Sequence, residues 1–185
     1  MRSRGDTQLL VMMQGGPGSG KSEFAKGLSV RLGAPRFSSD EMGAALFGNV
    51  NLSRAGESKE FKFNALRYAV GQVLVARQSV IVDAQHSAVS DRRRFTSLID
   101  DFSLPTLPVI VWIQTPPDIA RDRVLARPPR PDTFITSPQE IEASIARSEN
   151  KLEMPIPGEY MITLSGQDPF ELQISNFESQ LPQLR

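Results

Sequence analysis

"QLLVMMQGGPGSGKSEF", Gln8 to Phe24, joins an apolar run to a glycine-rich turn and then to the start of another element. The first part, from Gln8 to Gln14, is apolar throughout its middle, as in a strand buried on both faces. The glycines stop it. Beyond Ser22 the apolar residues Phe24, Ala25, Leu28 and Leu32 recur at helical spacing until Gly33 and Pro35 end the run. Strand, glycine turn and helix in succession predict an open α/β sheet.

Gly15, Gly20, Lys21 and Ser22 satisfy the pattern GxxxxGK[ST] in the context the pattern requires. Gly15, Gly16, Gly18 and Gly20 let the backbone pass close to phosphate oxygens, and the amides from Gly15 through Ser19 to Ser22 can converge on them. Lys21 is a point charge for the terminal phosphates, and the Ser22 hydroxyl suits Mg²⁺. A nucleoside triphosphate is the expected ligand. The candidate guanine-reading tetrapeptide, Asn150 to Glu153, ends in Glu rather than Asp and falls at a helix end, so ATP with Mg²⁺ is preferred. Glu23 sets an anion beside the cradle. Its amide is expected to serve the nucleotide, while its side chain turns to the helix amino terminus, to Lys26 or to an arginine.

The rest of the chain repeats the alternation. Strands are expected through Phe37, in "SVIVDAQH", in "LPVIVWIQ" and in "EYMITLSG". Helices are expected after Ser38 or Ser39, from Glu57 to Arg77, across "SDRRRFTSLIDDF" with Ser90 as cap, and across "DPFELQISNFESQL". The prediction is a three-layer α/β domain spanning 1–185, with a mostly parallel sheet of about five strands and helices on both faces.

Composition narrows the partners. The chain has 185 residues, equal numbers of basic and acidic side chains at 21 each, and no cysteine. Thiolate chemistry and disulfides are thereby excluded, and no overall field favours nucleic acid or membrane. The apolar run near the amino terminus, Leu9 to Met13, is too short for a membrane span, and a cytoplasmic setting is the simplest expectation. Oligomeric state is not readable from the sequence.

"GGPGSGKS", "FSSDEM", "SVIVDAQH" and "ARDRVLAR", in that order, resemble the small P-loop kinases related to polynucleotide 5′-hydroxyl kinases, zeta toxins and sugar or antibiotic kinases. The resemblance implies a P-loop NTPase, kinase-like fold. It implies that Asp40 takes the proton of an attacking hydroxyl, that Asp83 supports the metal with Ser22, and that Arg123 and Arg127 close over the nucleotide from a lid at 121–138, which Arg130 could join. Gln85 and His86 would follow in a loop that could line the acceptor site, although packing explains His86 equally well. Arg92, Arg93 and Arg94 point in different directions on a helix and are expected to be mostly solvated.

Gly43 stands where the polynucleotide kinases of this group place an arginine. A small-molecule hydroxyl acceptor is therefore preferred to a nucleic-acid end, which stays as an alternative. An ATP-binding regulatory module with little turnover is the reading of another class.

Overall fold

The computed structural model describes residues 8–48, 56–128, 137–150 and 153–182. The first half runs β1 (Gln8–Gln14), α1 (Lys21–Leu32), β2 (Arg36–Ser38), α2 (Ser39–Phe47), α3 (Gly56–Val75) and β3 (Val80–Asp83). It continues with α4 (Val89–Asp101), β4 (Thr106–Gln114), α5 (Pro117–Leu125), α6 (Pro138–Asn150), β5 (Tyr160–Ser165) and α7 (Phe170–Gln180). The five strands form one parallel sheet in the order β2-β3-β1-β4-β5, and the layers match the expectation from the sequence.

Position in the sheet explains strand composition. β1 lies at the centre and all its residues are buried, whereas β5, at the edge, buries Ile162 and Leu164 and exposes Thr163. On one face Leu9, Val11 and Met13 pack with Phe24, Ala25 and Leu28 of α1 and Ile174 and Phe177 of α7. On the other, Leu10 and Met12 pack with Leu66, Val70 and Leu74 of α3 and Phe95 and Leu98 of α4. A third cluster joins Ala120 and Val124 of α5 to Ile141 and Ile145 of α6.

Two helix starts show different capping. Of the two serines expected to cap α2, Ser38 does so, its hydroxyl accepting from the Glu41 amide at 3.3 Å. Ser90 does not cap α4, which begins one residue earlier. The Val89 amide donates instead to Glu153 Oε2 at 2.7 Å, so a carboxylate distant in sequence supplies the cap. α3 ends at Val75, short of the expected Arg77, and the chain leaves it with φ +57° at Arg77. Among the described residues, no helix is long and apolar enough to cross a membrane.

Candidate active site

β1 and β3 are neighbours, yet α1 packs on one face of the sheet and α4 on the other. The chain parts in two directions above their carboxyl ends, and the resulting crevice is the general ligand position of such sheets. The glycine loop lies there. Gly18 has φ +76°, and a Cβ on it would collide with the carbonyl of Ala120, so α5 rests directly on the loop. Ser19 is buried, its amide donating to Gly16 O at 3.2 Å and its carbonyl accepting from Thr115 Oγ1 at 2.8 Å. Gly20 precedes α1 and offers no side-chain cap, so the helix presents an amino terminus suited to an anion.

At the end of that loop Ser22 Oγ donates to Asp83 Oδ1 at 3.2 Å. The Asp83 side chain is 2% exposed, and its other oxygen accepts from Arg36 Nε and Nη2 at 3.0 and 2.9 Å. Arg36 also grips Glu41, with Nη1 and Nη2 at 3.0 and 2.8 Å from the two carboxylate oxygens. Burial alone would lower the Arg36 pKa. The Glu41 hydrogen bond and the Asp83 charge outweigh it, so the pKa is raised and the charge is kept. The sequence alone gives Arg36 no role, because its partners depend on the pairing of β2 with β3. The periodicity of two does put Arg36 on one face with Ser38, which is level with Asp83.

Hydroxyl and carboxylate oxygens are hard donors and fit Mg²⁺. Among the described residues no group of three or more acidic or histidine side chains could hold a metal alone, which leaves further ligand positions to phosphate and water. Asp40 stands two residues beyond the position level with Asp83, half-buried in the first turn of α2. Neighbouring Glu41 is tied to Arg36, whereas the Asp40 carboxylate makes no hydrogen bond or ion pair among the described residues.

The arginines separate. Arg123 lies beside the loop, with Nη1 3.5 Å from Gly18 O. Arg127 is exposed and follows α5, which ends at Leu125, so the two do not share a helix face as their spacing suggests. Arg121 reaches Glu142 at 3.4 Å, and this contact with the small apolar cluster couples α5 to α6. Arg130 and residues 129–136 of the expected lid lie outside the described residues. Glu23 is exposed and pairs with Lys26 at 3.1 Å, one of the arrangements expected for it.

Beyond β3, Gln85 is exposed but His86 is buried, with Nδ1 2.9 Å from Met13 O and its ring edge-on to Phe95. Burial lowers its pKa, so the neutral ring is favoured. Packing is its observed role. Arg92 corrects the expectation of a solvated arginine cluster. It is fully buried, pairs with both Glu159 oxygens at 2.8 and 2.9 Å, and donates to the carbonyls of Glu153 and Met154 at 3.0 and 3.1 Å. Asn150 ends α6 and Glu153 caps α4, while 151–152 of that tetrapeptide lie outside the described residues.

A family model described as an AAA domain, AAA_33, matches residues 10–150, a span that holds the loop, Asp40, Asp83, Arg123 and Arg127. The chain belongs to the AAA_33 family. No curated protein matches this AAA_33 chain. A candidate kinase from Chloroflexus aurantiacus j-10-fl is similar in structure, with TM-score 0.73 and 21% identity over 96% of this chain and 100% of that one. A sugar kinase from Janibacter sp. HTCC2649 gives 0.68 and 20% over 95% of each chain. The Mycobacterium tuberculosis APS kinase CysC, solved with AMPPNP and APS, gives 0.64 and 16% over 95% of this chain and 98% of that one. The AAA_33 chain thus has the P-loop kinase-like fold.

Proposed function

We propose that this AAA_33 domain transfers the γ-phosphoryl group of ATP to a hydroxyl of a small-molecule acceptor. The contact of Ser22 Oγ with Asp83 Oδ1, 3.2 Å long at the end of a glycine loop beside Lys21, carries the proposal. It joins a hydroxyl and a carboxylate where a nucleotide's metal belongs, as in phosphoryl-transfer sites. The kinase fold of the structural relatives supports it.

The amides of Gly15, Gly16, Gly18, Ser19, Gly20 and Glu23 would face the phosphates together with Lys21. Ser22 and Asp83 would hold Mg²⁺, which when bound neutralises phosphate charge. Asp40, free of protein partners among the described residues, accepts the proton of the acceptor hydroxyl. The hydroxyl oxygen bonds to the γ-phosphorus as the bond to the ADP oxygen breaks. Arg123 stabilises charge on the transferring oxygens, and Arg127 joins it when the lid at 121–138 closes. The engagement of Glu153 with α4 favours ATP over GTP. Gly43, buried where an arginine would hold a nucleic-acid phosphate, favours a small acceptor. A single domain acting in the cytosol is the corresponding setting.

Labelled ATP offered with sugars, nucleosides, aminoglycosides and 5′-hydroxyl oligonucleotides tests this. Transfer to a small molecule, reduced about 100-fold or more by Asp40→Asn with ATP affinity kept, is the expected result. Transfer to oligonucleotide alone overturns the acceptor class. Tight ATP binding with no labelled acceptor favours the regulatory module.

A further inference from the structure

Strand register places Gln14 of β1, Trp112 of β4 and Thr163 of β5 in one row across the sheet. Two residues earlier on the same face, Met12, Ile110 and Met161 form an apolar row within the core under α3 and α4. The face therefore changes from hydrocarbon to aromatic and amide within one pleat. Gln114 and Ser165 form the next row. A cavity of about 520 Å³ borders these rows, with Gly15, Gly16, Pro17 and Ser19 on the outer side of the phosphate loop and Ile145 of α6 also lining it. That volume suits a small molecule.

Two observations define its chemistry. None of the described residues lining the cavity is charged. A charged group there finds no counter-charge among these side chains, and the loop amides at its border are assigned to the ATP phosphates, which favours a neutral occupant. Gln14, 1% exposed, donates through Nε2 to Ser87 Oγ at 3.3 Å, while its Oε1 is buried without a partner. Buried amide oxygens rarely stay unpaired, and a ligand hydroxyl can donate to this one. Trp112 adds an aromatic surface for an apolar ring face, and Gln114, Thr163 and Gln167 add hydroxyl and amide partners at the more exposed side.

We infer that this cavity binds an uncharged, multiply hydroxylated ring, the non-reacting part of the acceptor. Naming the occupant an acceptor rests on the kinase reading; its charge and hydroxylation rest on the cavity. Lys21, Ser22, Asp40 and Asp83 do not line the cavity, so the reacting hydroxyl extends past Gly16 and Pro17 toward them.

Trp112 is the only tryptophan of the chain, so intrinsic fluorescence reports on this cavity directly. The full chain is titrated with neutral hexoses, pentoses, hexitols and nucleosides, and in parallel with a hexonate and an aminoglycoside, with and without ATP. A saturable emission change with a neutral probe, absent with the charged ones and retained at saturating ATP, is expected. Thr163→Val, at an exposed edge position, should weaken that probe about 3- to 10-fold while leaving ATP affinity unchanged. Gln14→Leu should weaken it further. No response to any neutral probe in a chain that binds ATP, or displacement of the probe by ATP, overturns the inference. Phosphoryl transfer to a small molecule without an emission change also overturns it and leaves the kinase reading standing. Saturable neutral binding with no transfer supports the cavity assignment and removes the acceptor role.

Discussion

Arg36 and Asp83 form a shielded ion pair at 2.9 Å, with side chains 11% and 2% exposed. The pair occupies one oxygen of Asp83 and leaves the other to Ser22. Arg36→Met should therefore lower stability by about 3 kcal/mol, because the carboxylate stays buried after its charge partner is lost. Chemical denaturation measures this. Restoration by Arg36→Lys should be incomplete, since one ammonium cannot reproduce a guanidinium that spans Asp83 and Glu41.

Arg92 and Glu159 form the second such pair, with side chains 0% and 5% exposed. Burial pushes the Glu159 carboxyl up, but the Arg92 hydrogen bond, the Ile156 amide and the charges of Arg92 and Arg93 bring it below its ordinary value. A depressed carboxyl contributes stability above its unfolded pKa and loses it as pH falls through the folded one. Below about pH 4, wild type should lose stability more steeply than Glu159→Gln, as read from unfolding midpoints. At neutral pH, Arg92→Met should cost about 3 to 5 kcal/mol.

His86 titrates in a different window. Burial lowers its pKa in the folded state, so the unfolded chain takes up the proton first as pH falls. Stability from the neutral ring is complete above the unfolded pKa, about 6.5, and declines below it by up to about 1.4 kcal/mol per pH unit. Denaturation from pH 7.5 to 5 should show this slope in wild type and a smaller one in His86→Gln.

Gly18 and Gly48 have nearly equal φ, +76° and +74°, but of the two only Gly18 is pressed by another element among the described residues. Gly48→Ala should cost about 1 kcal/mol, the strain of the left-handed conformation. Gly18→Ala should cost about 3 kcal/mol or more, because the new methyl also displaces the Ala120 carbonyl. Thermal unfolding of the two variants gives the difference, and ATP titration should show weakened binding for Gly18→Ala alone.

Glu23 is exposed and paired with Lys26, so its charge is largely screened. Glu23→Thr should change ATP affinity by less than about threefold. Isothermal titration decides, and a native chain that binds only after the substitution would show that the carboxylate opposes the phosphates.

The sequence determined whatever is local. An apolar run, glycines and an amphipathic helix suffice to place Gly15 to Ser22 between β1 and α1, because each depends on neighbours a few residues away. A serine cap for α2, at Ser38 or Ser39, and the five strands were legible for the same reason. Tertiary structure decided which charges meet. Strand pairing sets Arg36 against Asp83, and the return of the chain to β5 brings Glu159 to Arg92 and Glu153 to the start of α4. Neighbours 47, 67 and 64 residues apart leave no periodic trace in the sequence. The row of Gln14, Trp112 and Thr163 arises likewise from register across three strands, since β1, β4 and β5 meet only when the sheet has formed.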